Sequence, residues 1–235
     1  MSLTSLPEGY RAVVFGASGG LGSALLAALE SDPRCGTAIG LHRRSDPPLE
    51  LTDEATIEAA AQHVADTHGG IECLLDATGV LTIDGAPPEK TIARLDPARM
   101  QQAFAINATG PALLLKHFAP LLPRRGRGLF ATLSARVGSI GDNRRGGWIS
   151  YRASKAALNQ IVRTAAIELA FRHPEAVVVG LQPGTVDTPL SRPYARGEGV
   201  LAPAESAARL LAVLDRLDPG RSGELVDHAG ATVPP

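Results

Sequence analysis

Lysine is scarce in this chain. Lys90, Lys116 and Lys155 are the only three among 23 basic residues, and the rest are arginines. Cysteine is scarcer still: Cys35 and Cys73 stand far apart, which excludes a disulfide framework and a paired-thiolate zinc site. No charge of one sign dominates. With 23 Lys and Arg against 24 Asp and Glu, the net charge of −1 gives no electrostatic reason for a nucleic-acid or anionic-membrane partner. No run approaches the ~18–20 apolar residues needed to span a bilayer, and the opening residues carry no apolar leader segment. Six histidines occur without an H-E-x-x-H pattern or clustered acids, so no metal site is indicated. The expectation is a soluble, cytoplasmic protein.

At 235 residues the length suits one α/β domain, 1–235, built around a single sheet. Short apolar runs alternate with helix-like ones. Strand patterns fall at 11–15, 37–41, 72–76, 128–134, 176–181 and 223–226. Helix patterns fall at 21–30, 53–67 (with Thr52 as cap), 97–122, 150–172 and 203–216, and Gly110-Pro111 predicts a kink or break in the third. Strands alternating with helices of this length imply right-handed crossovers and a doubly wound, Rossmann-type parallel sheet in three α/β/α layers. Apolar strands without strict alternation fit burial on both faces. Ligands in such folds sit beyond the carboxyl ends of the strands.

The first strand pattern runs directly into Gly16-Ala-Ser-Gly-Gly-Leu-Gly22, and a helix pattern follows. Glycines there permit a tight turn and a close backbone approach, and the helix start offers free N–H groups and a positive dipole end to a pyrophosphate. Gly16, Ser18, Gly19, Gly20, Leu21 and Gly22 are the phosphate-binding candidates. The second strand ends on Leu41-His-Arg-Arg44 with no acid before Asp46. An acid there would bind the adenosine ribose hydroxyls, whereas Arg43 and Arg44 can pair with a 2′-phosphate. This points to NADP(H) rather than NAD(H); the alternative is a solvated arginine pair at a loop.

Tyr151 and Lys155 are four residues apart at the start of the long helix pattern, on one helix face about 6 Å apart along the axis. A cation beside a phenol favours the phenolate, so the two can form an acid/base unit. Together with the glycine loop, this pair resembles the short-chain dehydrogenase/reductase superfamily, and the resemblance covers nearly the whole chain. Ile106-Asn107-Ala-Thr-Gly110 is similar to the family's V-N-x-x-G, whose asparagine holds a water in the proton relay. Pro183, Gly184, Val186 and Thr188 are similar to P-G-x-V-x-T, which contacts the nicotinamide amide. Glu50-Leu51 fall where the family has a pair beside adenine. Leu74 to Gly79 takes the place of the N-N-A-G segment, passing beside adenosine with Thr78 and Gly79, although only Gly79 matches. The stretches around 136–148 and 151–159 look closest to the branch of C-factor-like and Sniffer-like carbonyl reductases.

One departure stands out. The family's catalytic serine, counted back from Gly138 or from Tyr151, falls on Ala135. Ser134 matches the first serine of the family's pair. Either Ser134 turns round at the strand end, or Ser139 reaches in, or the hydroxyl is missing. The resemblance implies a sheet of seven parallel strands and an NADP(H)-dependent oxidoreductase acting on a carbonyl or secondary alcohol. Tyr151 would be the acid, with Lys155 lowering its pKa and holding the ribose. Asn107 would carry the relay water, and Ser134 or Ser139 would orient the substrate. The alternative is a C-factor-type nucleotide-binding signalling protein with little turnover. The segment 187–203 reads as the substrate lid, with Trp148 a candidate wall of the site. Excess Ala and Leu on the helices at 97–122 and 150–172 point to a homodimer or homotetramer.

Overall fold

The computed structural model describes residues 2–195 and 199–235. The strands are β1 (Tyr10–Phe15), β2 (Cys35–Leu41), β3 (Cys73–Asp76), β4 (Gly128–Leu133), β5 (Ala176–Gln182), β6 (Thr185–Val186), β7 (Val200–Leu201), β8 (Leu225–Asp227) and β9 (Thr232–Val233). The α-helices are α1 (Gly20–Glu30), α2 (Glu54–His68), α3 (Pro97–Phe104), α4 (Gly110–Phe118), α5 (Ile149–Leu169) and α6 (Pro203–Arg216). Seven strands form one sheet in the order β2-β1-β3-β4-β5-β8-β9, and β6 with β7 forms a separate pair. The order reverses between β1 and β3, which opens the crevice expected at a doubly wound switch point.

Burial on both faces explains the unbroken apolar strands. Ala12, Val14, Leu75, Leu129 and Val179 pack with α1 and α6 residues such as Leu25, Leu210 and Leu214. Val13, Phe15, Leu74, Phe130 and Val178 pack on the opposite face against Ile57, Leu114, Phe118, Leu158 and Val162 of α2, α4 and α5. Alternation along β3 and β4 therefore sends Asp76 and Thr132, the next residues in phase with Leu74 and Phe130, toward the α2/α4/α5 face.

Three details differ from expectation. Only six strands of the main sheet are parallel, because β9 returns antiparallel on β8; its two residues carry no periodic signal. Asp53, not Thr52, caps α2, accepting from Ala55 N, while Thr52 turns back to the Glu50 carboxylate at 3.2 Å. The break between α3 and α4 precedes Gly110-Pro111: residues Ala105–Thr109 form a π-helical turn, with Gly110 N–H reaching back to Ala105 O. The missing Pro111 N–H loosens the turn upstream of the ring, since that donor would have bonded the Asn107 carbonyl.

Candidate active site

Two glycines fix the loop between β1 and α1. Gly16 is left-handed (φ +74°), and a Cβ on Gly22 would lie 2.2 Å from the Gly16 carbonyl oxygen. No side chain larger than hydrogen lets the first turn of α1 close on this loop. Gly19 caps the helix without a side-chain hydrogen bond and no acid stands in the first turn. The N–H groups of Gly20, Leu21 and Gly22 are thus left for an anion. Leu21 contributes only backbone, because its side chain is in the core, whereas Ser18 and Gly19 are exposed. A Cβ on Gly20 would lie 2.9 Å from the Thr188 methyl carbon, so the lid begins against this loop.

Arg43 and Arg44 are exposed at the end of β2. Arg44 N–H donates to His42 Nδ1 at 3.0 Å, and among the described residues neither guanidinium makes an ion pair. Leu51 is buried and packs where a Gly110 Cβ would come within 2.8 Å of it, which leaves its backbone rather than its side chain for a ligand. The Glu50 carboxylate is half-buried beside Thr52.

Tyr151 and Lys155 lie one turn apart near the start of α5. That start is held by a residue the sequence did not single out. Glu89 is buried, its carboxylate accepts from Ser150 N–H at 3.3 Å and from Ser150 Oγ, and its carbonyl accepts from Trp148 N–H. An acid at a helix N-terminus is favoured by the dipole, but this one comes from a loop 61 residues away, beyond any local pattern. Trp148 is left-handed (φ +54°). Its ring meets Tyr151 edge-on at 6.2 Å and Tyr194 of the lid segment at 5.3 Å. Tyr194 Oη lies 2.7 Å from Thr82 Oγ1. Residues 196–198, inside the expected lid, lie outside the described residues.

Lys155 is 3% exposed. Its Nζ donates to the Leu133 carbonyl at 2.8 Å and would lie 3.6 Å from a Cβ on Gly79. Burial pulls its ammonium down to about 8, against a smaller upward pull from Asp76. Burial pushes the Tyr151 phenol up to about 12. Burial alone accounts for that rise, and the Lys155 ammonium is turned to the Leu133 carbonyl. Asn107 sits in the π-helical turn: Oδ1 accepts from Val80 N–H at 2.8 Å, and Nδ2 donates to Val80 O at 2.9 Å and to Ser154 Oγ at 3.2 Å. Its side chain is a strut, while its carbonyl lacks the α-helical donor that Pro111 cannot supply.

Ser134 does not turn round at the strand end. Its hydroxyl donates to Asn159 Oδ1 on α5 at 2.6 Å, because Ser134 keeps the strand phase of Phe130 and Thr132. Ser139 is equally committed: its Oγ accepts from Asp142 N–H at 3.0 Å and contacts Pro235 O at 3.4 Å. Ala135 holds the expected position with no hydroxyl. Thr188 is also engaged, its Oγ1 2.9 Å from Ser191 Oγ. Pro183 O accepts from Ser206 Oγ at 2.8 Å, Gly184 is left-handed, and Val186 is buried in β6. Thr78 donates to Asp76 from both N–H and Oγ1, at 2.9 and 2.5 Å.

The chain matches the family described as short chain dehydrogenase over residues 47–199. It is 34% identical to the C-signal protein of Myxococcus xanthus over 167 residues, covering 71% of this chain and 93% of that one. It is 29% identical to a 1-hydroxy-2-glutathionyl-2-methyl-3-butene dehydrogenase of Rhodococcus, over 80% of this chain and 78% of that one. A short-chain dehydrogenase/reductase of Burkholderia multivorans solved with bound NADP superposes with a TM-score of 0.80 at 30% identity, over 96% of this chain and 99% of that one. The carbonyl reductase Sniffer of D. melanogaster shares the fold, with a TM-score of 0.82 over 96% of this chain and 99% of that one at 20% identity. With its glycine loop, its Tyr151–Lys155 turn and these relatives, the chain belongs to the short-chain dehydrogenase/reductase family of oxidoreductases.

Proposed function

We propose that the protein is an NADP(H)-dependent reductase of a carbonyl compound, or the dehydrogenase of the corresponding secondary alcohol. The observation that carries this reading is the Tyr151–Lys155 turn beyond the carboxyl ends of the strands, together with a glycine loop whose helix N–H groups have no partner among the described residues. The cradle fits a dinucleotide. Its pyrophosphate would rest on the N–H groups of Gly20 to Gly22, its adenosine end near Arg43, Arg44 and Thr78, and its nicotinamide near Gly184, Val186 and Thr188. When bound, the nicotinamide supplies or accepts the hydride.

The rest is done by this chain. Tyr151, protonated at neutral pH, donates its phenolic proton to the oxygen of the reduced carbonyl. The Lys155 ammonium, which donates to the Leu133 carbonyl, would stabilise the phenolate left behind and would hold the ribose of the bound cofactor. The Asn107 carbonyl holds a water that returns a proton to the site. Trp148 and Tyr194 form an aromatic wall that excludes bulk water. NADP(H) is supported by the guanidiniums of Arg43 and Arg44, which make no ion pair among the described residues, and by the NADP bound to the Burkholderia relative.

NADPH oxidation against a panel of carbonyls tests the reading. Tyr151→Phe is expected to lower kcat by at least 100-fold while NADPH binding stays within about threefold. NADPH should bind at least tenfold tighter than NADH, and Arg43→Ala with Arg44→Ala should narrow that gap, since each charge-assisted contact contributes about 1.5–3 kcal/mol. A second reading, a nucleotide-binding protein with little turnover, is favoured by one observation: both nearby serine hydroxyls are committed and Ala135 has none. It gains if NADPH binds and no carbonyl is turned over.

A further inference from the structure

Asp76 is a charge in an unexpected place. It ends β3, the strand beside the switch point, and is 1% exposed. An isolated carboxylate in such a position costs several kcal/mol and persists only when its oxygens are satisfied. Here Oδ1 accepts from Thr78 N–H at 2.9 Å and Thr78 Oγ1 at 2.5 Å, and Oδ2 accepts from Thr132 Oγ1 at 2.6 Å. Three donors converge on two oxygens. Burial pushes this carboxyl up, and the three hydrogen bonds and the nearby Lys155 ammonium pull against it, since both favour the charged form of an acid.

The same pocket holds a buried ammonium. Thr132, which grips Asp76, adjoins Leu133, whose carbonyl grips Lys155. Gly79, three residues beyond Asp76, backs onto Lys155 Nζ. Both charges lie between the sheet and α5, and no direct hydrogen bond joins them among the described residues. The other groups placed beside Lys155 are neutral: Asn107 from the π-helical turn, whose Oδ1 faces Gly79 as Lys155 Nζ does, and the Leu133 carbonyl from β4. Among the described residues, Tyr151, one turn earlier on the same helix, is the other titratable group of this site. A buried ammonium with one carbonyl partner deprotonates readily unless an anion stands near.

We propose that Asp76 is a positioning residue that acts as the fixed counter-charge for Lys155, keeping its ammonium protonated beside Tyr151 in the working pH range. The proposal rests on the function given above only for what the ammonium then does; the charge coupling itself stands apart from turnover. Asp76 touches neither substrate nor cofactor. It works through Lys155, and threonine hydroxyls hold its charge where water cannot reach.

The scarcity of lysine makes the test direct. With three lysines in the chain, the side-chain 13Cε resonances can be followed individually, and Lys155 is assigned by its loss in Lys155→Met. Asp76→Asn is close to isosteric, and the threonine hydroxyls can rotate to accept from the new amide. The expected result is a fall of about one unit in the Lys155 titration midpoint, with those of Lys90 and Lys116 unmoved. The high-pH limb of kcat for NADPH oxidation should move down with it. A folded Asp76→Asn protein whose Lys155 titrates within 0.2 units of the wild type overturns the proposal, whatever its thermal stability. The unaltered protein gives a second measurement that needs no variant: the Asp76 carboxyl 13C shift must report an ionised group across the range where Lys155 titrates. A proton held there overturns the proposal too. If Lys155 shifts as expected but no carbonyl is reduced, the coupling stands and the reductase reading fails.

Discussion

Ala135 follows a strand whose side chains alternate face by face. Its extended backbone (φ −151°, ψ 146°) continues that alternation, directing its methyl away from Asn159, the partner of Ser134. A hydroxyl added at Ala135 therefore enters at the carboxyl end of β4 without disturbing the Ser134–Asn159 bond, and one oxygen adds little volume. Ala135→Ser is expected to raise kcat for carbonyl reduction about 10-fold or more, the lower end of what one donor to a developing oxyanion contributes. The gain should fall on kcat rather than KM, because the contact is made mainly in the transition state. Ser134→Ala should leave kcat within twofold and lower stability by about 1 kcal/mol, the usual cost of one hydrogen bond whose partner stays behind. Steady-state kinetics and thermal melts on the two variants check both. At this scale the sequence was legible where type and spacing set position: Tyr151 and Lys155 fall on one turn at the start of α5, as their spacing of four predicts. It was opaque for Asp76 and Glu89, because each takes its meaning from a partner distant in the chain: Thr132 for Asp76, Ser150 for Glu89.

Among the elements, α1 depends most on a single atom. The 2.2 Å separation between a Gly22 Cβ and the Gly16 carbonyl is far inside contact distance, and the neighbour is backbone, which cannot swing aside. Gly22→Ala must push the first turn of α1 off the loop. The expected outcome is at least a 30-fold loss of NADPH affinity and a fall of several degrees in Tm, measured by calorimetric titration and melting. Gly19→Ala is the contrasting variant, since its nearest neighbour, the Gly16 carbonyl oxygen, would lie 3.2 Å away. The core strands and longest helices were readable because period and composition agree there, and their ends moved by one to three residues. β6, β7 and β9 were not, since two-residue strands carry no period and are defined by the partner they find. The break near Gly110 was foreseen and its location was not: proline acts on the carbonyl four residues earlier, so the distortion spreads toward Asn107.

For the molecule as a whole, the outer surface of α4 and α5 holds a groove of about 840 Å³ lined by Ala112, Leu115, Ile161, Ala165 and Phe171. Phe171 is 86% exposed and Ile167 55%, large apolar groups facing water where a partner would cover them. A dimer through this face is expected at micromolar concentration. Ile167→Glu with Phe171→Glu should give monomers by sedimentation velocity without loss of secondary structure. A wild-type protein that sediments only as a monomer rejects this expectation.

The sheet also has two unequal borders. On one side β9 offers two residues, and Pro234 and Pro235 follow it without amide hydrogens to donate. On the other, β2 presents seven residues without a charge or a proline, CGTAIGL, paired among the described residues only with β1. An open border of that length and composition is a template for adding a foreign strand, and such borders are ordinarily guarded by flanking charge. The guards here are Arg34 at one end and His42, Arg43 and Arg44 at the other. The guanidiniums proposed to read a ribose phosphate thus also stand as the gatekeepers of the sheet. Stripping both to change cofactor choice would leave a more aggregation-prone protein, so the selectivity and the colloidal behaviour of this chain cannot be engineered independently at that corner.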